Sequence, residues 1–189
     1  MPMAMMVVVF MCFFVVYTFR RDMLEYQYEQ IDSDITYSLL ASAAVNLEEY
    51  AMTGNLIIAD EKEPDVRDGA FLKAYLTFVD CLKCNMALDD NMQVKADAGM
   101  SGTVQIVSYV IYNYIVDENG CHITECGIAD GQPYTIRHAD DRSVSVHANG
   151  GIVNIEETSV YAEIRFNIEG IGEYSLKRLV AVTDAEGGG

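Results

Sequence analysis

Between Met3 and Phe19 every residue except Thr18 is apolar. No Gly or Pro interrupts the run. It also lacks the polar stripe that a surface helix of a globular domain keeps. Its 17 residues stand at the lower edge of what spans a bilayer as a helix. A removable secretory signal needs a basic start and a small-residue cleavage site. Here the start is Met-Pro-Met-Ala, and VVYTFRRD offers no A-x-A pattern. The expectation is a membrane-spanning segment over residues 1–21, with a cleaved signal and a buried core helix as alternatives. The segment would contact the lipid bilayer through residues 3–19. Arg20 and Arg21 follow the run, and no basic side chain precedes it. Taken literally, the positive-inside rule leaves the C-terminal bulk in the cytoplasm. Met at positions 1, 3, 5 and 6 leaves room for a different start with a basic leader upstream, which would reverse that topology. Orientation stays open at this point.

The helical period continues past the run. Leu24, Tyr28, Ile31, Ile35, Leu39, Ala43, Leu47 and Tyr50 recur at three- or four-residue spacing, one face of an amphipathic helix. No Gly or Pro occurs between Arg21 and Thr53, and Gly54-Asn55 is a plausible stop. One helix from about Ala4 to Met52 is expected. Its small stretch SLLASAA (38–44) allows close approach of a sheet or another helix, in the chain's own domain or in another copy. Leu56-Ile57-Ile58 is a short apolar run, and 59–69 reads as an acidic loop. Phe71, Leu72, Tyr75, Phe78, Val79 and Leu82 predict a second helix over 65–86, closed by LDDNMQ.

From Gly102 the period changes to two and β-formers dominate. TVQIVSYVIYNYIV reads as one or two strands, with CHITECGI returning after the turn at 117–120. YTIRHA and RSVSVHA are shorter candidates, divided by Asp140-Asp141, and Asn149-Gly150-Gly151 is a further turn. TSVYAEIRFNIEG alternates, with Val160, Ala162, Ile164, Phe166 and Ile168 on one face and Tyr161, Glu163, Arg165 and Asn167 on the other. It predicts a half-buried antiparallel strand. EYSLKRLVAVTDA follows as the last. The fold class is therefore α+β: a long N-terminal membrane-anchored helix, a second helix, then a C-terminal antiparallel sheet over 102–183. Residues 22–189 form the soluble domain, with helices over 22–53 and 65–86.

Charge narrows the functions available. The chain's formal net charge is −17, and all 29 acidic residues lie after Arg21. A domain that acidic repels phosphate backbones, which excludes nucleic acid as a partner. It does not dock directly on anionic lipid either. With 12 Tyr and no Trp it suits a solvent-facing, surface-exposed module.

Candidate chemistry is sparse. Cys12 lies in the apolar run; Cys81 and Cys84 form C-x-x-C, and Cys121 and Cys126 form C-x₄-C. Two close pairs could be disulfides, free thiols or, with all four, one zinc tetrathiolate. A redox C-x-x-C needs a strand leading into the motif, and here a helix surrounds it. His122, His138 and His147 have no helical pairing or ligand-like neighbour. Asp117-Glu118-Asn119-Gly120 lacks the other ligands of a calcium loop and reads as a hairpin turn. There is no G-x-S-x-G, phosphate loop, dinucleotide fingerprint or wall-sorting motif. No catalytic residue and no cofactor is assigned, and an enzyme is not expected.

Three stretches, SLLASAAVNLEEYAMTGNLII (38–58), NMALDDN (85–91) and NGGIVNIEETSVYAEIRF (149–166), resemble the TadE-like minor pilins of Gram-positive tight-adherence pilus loci. The order of apolar helix, amphipathic helix and sheet is similar to type IV pilins and pseudopilins. Glu48, Glu49, Tyr50 and Gly54 match the first stretch; Asn149, Gly150, Thr158, Ser159, Val160, Tyr161 and Glu163 match the last. The resemblance implies a pilin-like structural component of a pilus or secretion apparatus, in the cell membrane with its C-terminal domain outside. Its partners would be pilus or secretion-platform subunits and other copies of itself. Leaders of the family carry basic residues, a Gly at the cut and a Glu five residues into the mature chain. None of these precedes or lies within Met3–Phe19, so either the start lies upstream or the chain is not processed. The alternative reading is a single-pass, membrane-anchored extracellular binding module that does not assemble; a cytoplasm-facing subunit of a membrane complex comes third.

Overall fold

The structure is a computed structural model and describes residues 2–44, 47–54, 69–95, 100–117, 120–138, 144–169 and 172–182. The chain is α+β. Helices α1 (Pro2–Ala44), α2 (Leu47–Thr53) and α3 (Ala70–Asn85) precede strands β1 (Met100–Asp117), β2 (Gly120–Ala129), β3 (Gln132–His138), β4 (Ser145–Ala148), β5 (Gly151–Asn154), β6 (Ser159–Ile168) and β7 (Gly172–Ala181). Two compact units divide it, Met1–Ser33 and Asp34–Gly189, with the boundary inside α1. The helix expected from Ala4 to Met52 is found as two described helices, α1 and α2, on either side of residues 45–46. Helix α3 begins at Ala70, after Gly69 at φ 91°; the expected start at 65 falls outside the described residues, as do the apolar run 56–58 and the Asp140-Asp141 turn.

Among the described residues no helix is long and apolar enough to cross a membrane. This corrects the membrane-spanning segment expected over 1–21 and, with it, the single-pass membrane localisation. The reason is length. Seventeen apolar residues rise about 25 Å as a helix, short of the ~30 Å hydrocarbon thickness, and Arg20-Arg21-Asp22 end the run.

In the second unit a five-stranded antiparallel sheet runs β3-β2-β1-β6-β7. Tyr109, fully buried on β1, is the centre of one face. Its ring lies 5.1 Å from Phe78, 5.4 Å from Tyr75 and 5.8 Å from Phe71, all on α3. Its hydroxyl donates to Ser42 Oγ at 3.1 Å, and Ser42 in turn donates to the Leu39 carbonyl at 2.7 Å. The small stretch therefore packs within the chain's own domain: Ser38, Ser42 and Ala43 are buried beside Ile35 and Leu39, and Asn85 Nδ2 donates to Ser38 Oγ at 3.1 Å. Ser38 and Ser42 each satisfy their hydroxyls locally, which removes the penalty of burying them.

The β4–β5 hairpin covers the other sheet face. Ala148 and Ile155 join Val110, Tyr112, Ile123 and Tyr161 in a second core, with Val144 and Val146 packed against it. β5 was not expected from the sequence. Its presence explains why β6 is more than half-buried: Val160, Ala162, Ile164, Phe166 and Ile168 are buried as the alternation predicts, but Tyr161 on the opposite face is also 8% exposed.

Local chemistry sets the ends of elements. α3 stops in a Schellman arrangement, with Leu88 N–H donating to Lys83 O (2.8 Å), Ala87 N–H to Cys84 O (3.4 Å) and Ala87 left-handed at φ 51°. Asp89 Oδ1 then accepts from the amides of Asn91 and Gln93, closing the turn that NMALDDN opens. The β2–β3 and β4–β5 hairpins turn on Asp130-Gly131 and Asn149-Gly150, each pair with positive φ, as the primed two-residue turns require.

Candidate functional site

The most unusual surface is on the first unit. Thirteen large apolar side chains between Met5 and Phe19 are 49–78% exposed, on every side of α1. Thr18 adds no polarity, because its hydroxyl donates back to the carbonyls of Phe14 (2.9 Å) and Val15 (3.0 Å). Fully burying such a side chain contributes ~1.5–3 kcal/mol, so this segment leaves on the order of 15 kcal/mol of burial unrealised. That matches the whole stability of a typical domain. An apolar surface this continuous marks an interaction site. Immediately beyond it, Arg20, Arg21, Asp22, Glu25 and Glu29 are all exposed.

The residues shared with the family motifs hold turns and packing together. Gly54, at φ 73°, closes α2 by donating to Tyr50 O at 2.7 Å. Its carbonyl accepts from Thr158 Oγ1 at 3.4 Å, and the same Thr158 oxygen accepts from the Tyr114 amide at 3.1 Å. The first and last motif stretches thus meet at a buried threonine. Ser159 Oγ donates to Glu157 O, and Val160 and Tyr161 are core residues. Glu163 accepts from Ser175 Oγ at 3.0 Å and pairs with Lys177 at 3.2 Å on β7. Asn149, left-handed at φ 53°, clamps the edge of β7. Its side-chain amide donates to Leu179 O (3.0 Å) and its Oδ1 accepts from Leu179 N–H (3.2 Å), as a neighbouring strand would. Gly150 completes that turn. Glu48 is exposed on α2, and Glu49 and Tyr50 follow it in the same helix.

The cysteines are not gathered. Cys12, Cys81, Cys84, Cys121 and Cys126 are all free thiols. Cys121 and Cys126 lie five positions apart on β2, an odd separation that puts them on opposite sheet faces. Cys126 is buried, and burial pushes its thiol up; burial, with Cys84 nearby, does the same to Cys81. Neither is the lowered thiol that redox chemistry or metal binding favours. Among the described residues no group of three His, Cys, Asp or Glu could hold a metal ion.

One cluster escaped the sequence reading. Gly127 on β2 leaves room for the Tyr134 ring of β3 to lie across it. Tyr134 then donates to Glu125 Oε1 at 2.8 Å, while His138 Nε2 meets Glu125 Oε2 at 3.0 Å. Burial first, and Glu125 second, hold Tyr112 and Tyr134 protonated well above the usual phenol range. Burial, with Glu163 beside it, pushes Tyr161 up to about 12. Both Glu125 oxygens have internal partners, so the cluster works as a polar tie between β2 and β3. The legible signal was the Asp130-Gly131 turn: it fixes Glu125 opposite Ile136 and so places Tyr134 and His138 diagonally beside it.

No family model, curated protein or solved structure matches the chain. The resemblance to minor pilins rests on the motif residues alone.

Proposed function

We propose that this chain is a pilin-like structural component of a pilus or secretion apparatus, working by assembly with other copies and with subunits of that machinery rather than by catalysis. The observation that carries the reading is the exposed apolar segment Met5–Phe19. It has no polar side to keep in water, so its stable state is one in which other helices surround it. The motif residues, spent on turns and packing, are consistent with a part that supplies shape. The acidic remainder of the chain keeps like domains apart in water and favours contact through the uncharged apolar segment.

Sedimentation velocity of the full chain tests this. The wild type should sediment as higher-order species, and Phe13→Asp, which sets a charge among exposed apolar neighbours, should shift it to monomer with unchanged helical content. A wild-type chain that stays monomeric at high concentration would defeat the reading and favour a monomeric binding module.

A further inference from the structure

The five-stranded sheet ends in β7 on one side and β3 on the other, and the fold treats these edges differently. On β7 the outer edge is taken at Lys177 and Leu179. Asn149 N–H donates to Lys177 O at 3.0 Å, and the Asn149 side-chain amide holds both backbone groups of Leu179. On β3 the edge is open. The Asp130 amide donates to the Val107 carbonyl at 3.0 Å, so the backbone groups of Ala129 turn the other way, toward β3. Alternation along the register then aims the backbone groups of Tyr134, Ile136 and His138 at β2, and those of Pro133, Thr135 and Arg137 outward. Among the described residues, nothing bonds the outward backbone groups of Thr135 and Arg137. The Ile136 side chain at this edge is 46% exposed. An open edge of this kind is a template for another strand.

We propose that the β3 edge pairs with the β3 edge of a second copy, antiparallel and about a two-fold axis at Ile136, so that the two sheets join into one. This contact is separate from the apolar segment of α1 and does not rest on the assembly reading. Charge favours a second copy here. The chain's net charge is −17, yet the strand Gln132–His138 carries Arg137 and His138 and no acid. Two copies meet less repulsion at this edge than through acidic surface. The register follows from the side chains. Centred on Ile136, Thr135 of one copy lies opposite Arg137 of the other, and every N–H and C=O of the two residues finds a partner. Ile136 then faces Ile136 at a non-hydrogen-bonded position, where opposed side chains stand closest. Centring on Thr135 instead sets Arg137 against Pro133, which has no N–H to give, and leaves the Arg137 carbonyl unpaired. Centring on Arg137 sets one guanidinium against the other.

The overlap covers only Tyr134 to His138, so its area is small beside that of a standard interface. Dilute copies stay apart. Pairing appears when copies are concentrated, or when another contact gathers them and raises their effective concentration. The contact uses the same patch on both copies and closes on itself. It therefore joins copies in twos rather than in a growing stack.

The experiment uses the full chain carrying Phe13→Asp, Cys12→Ser and Cys84→Ser, which weakens the apolar contact and removes the exposed thiols. Sedimentation equilibrium should show monomer when dilute and dimer when concentrated. Adding Ile136→Lys sets two ammonium groups against each other across the axis and should raise the dimer dissociation constant about tenfold or more, with unchanged circular dichroism. In parallel, Ile136→Cys and Arg137→Cys chains are oxidised with glutathione disulfide and their cross-links located by peptide mapping. Position 136 should link to position 136 of the second copy, because facing non-hydrogen-bonded sites bring Cα atoms within disulfide range. Position 137 faces position 135 and should link to itself far less. A dimer indifferent to Ile136→Lys, cross-linking as strong through 137 as through 136, or a chain that stays monomeric when concentrated overturns the proposal. Should Ile136→Lys perturb the fold, the cross-links decide. Higher-order species that persist with Phe13→Asp count against the assembly reading, and the cross-links then decide the β3 contact by themselves.

Discussion

Replacing Gly127 by Ala tests the packing that builds the Glu125 cluster. A Cβ at this position would lie 2.9 Å from both Cζ and the hydroxyl oxygen of Tyr134, and 3.0 Å from the Tyr109 carbonyl oxygen. The first two contacts belong to a ring that can swing away, but only by abandoning Glu125. The third is backbone in the middle of the sheet. Overpacking of this kind costs ~1–3 kcal/mol. A lost hydrogen bond to a charged acceptor adds ~1.5–3 kcal/mol. Against this, Ala in a strand interior recovers ~0.5–1 kcal/mol relative to Gly. The net expectation is a loss of about 2–4 kcal/mol. Urea unfolding followed by circular dichroism measures it, at matched protein concentrations because association adds to apparent stability. A double-mutant cycle isolates the cause. In a Tyr134→Ala background the ring and its hydrogen bond are already gone, so Gly127→Ala should cost less than about 1 kcal/mol there. Equal losses in the two backgrounds would show that Tyr134 is not what Gly127 accommodates. A loss below about 1 kcal/mol in the wild type would refute the packing altogether.

Three further expectations follow from the geometry. Thr158→Val keeps the side chain's shape but leaves the Tyr114 amide and the Gly54 carbonyl without this oxygen, which should destabilise by ~1–3 kcal/mol in the same unfolding assay; Thr158→Ser should recover most of it. Asn149→Gly retains the left-handed turn and loses the clamp on Leu179, while Asn149→Ala loses both, so stability should fall in the order Asn, Gly, Ala, with the last step ~1 kcal/mol; an Asn149→Gly chain as stable as wild type would show that the clamp contributes nothing. For the tyrosines the sign is set by the raised folded-state values: above pH 10.0 the unfolded chain releases phenol protons that folded Tyr161 keeps until about 12, so stability is full below this window and falls as pH rises through it. Tyr109, Tyr112 and Tyr134 shift in the same direction, and spectrophotometric titration should show phenols that ionise only as the chain unfolds; a single class titrating at the ordinary value would contradict their burial.

Features whose cause lies within a few residues were legible from the chain. The period-three-to-four face of Ile35, Leu39 and Ala43 is buried as read, and the inward set of β6 from Val160 to Ile168 is buried as read. The close of α3 at NMALDDN and the Asn149-Gly150 turn also follow from local chemistry, since left-handed positions and side-chain caps need no distant partner. The membrane reading failed on a different ground: it weighed the uniform apolarity of Met3–Phe19 above its length, and hydrophobicity per residue does not decide whether a helix is tall enough for a bilayer.

What escaped is what depends on who covers a face. Tyr161 sits at a solvent position by alternation and is buried because the β4–β5 hairpin, twelve residues away in the chain at Asn149, folds over it. Glu125 reads as a polar residue of a half-exposed strand until the register across Asp130-Gly131 brings Tyr134 and His138 to it. The cysteines show the reverse. Their spacing suggests two pairs, yet strand alternation alone separates Cys121 from Cys126, so applying the period-two rule to the chemistry as well as to the core would have dissolved that pair. The same reasoning bears on the apolar segment of α1. The side chains from Met5 to Phe19 are exposed on every side of the helix, and a helix with no polar side has no way to remain alone in water at low cost.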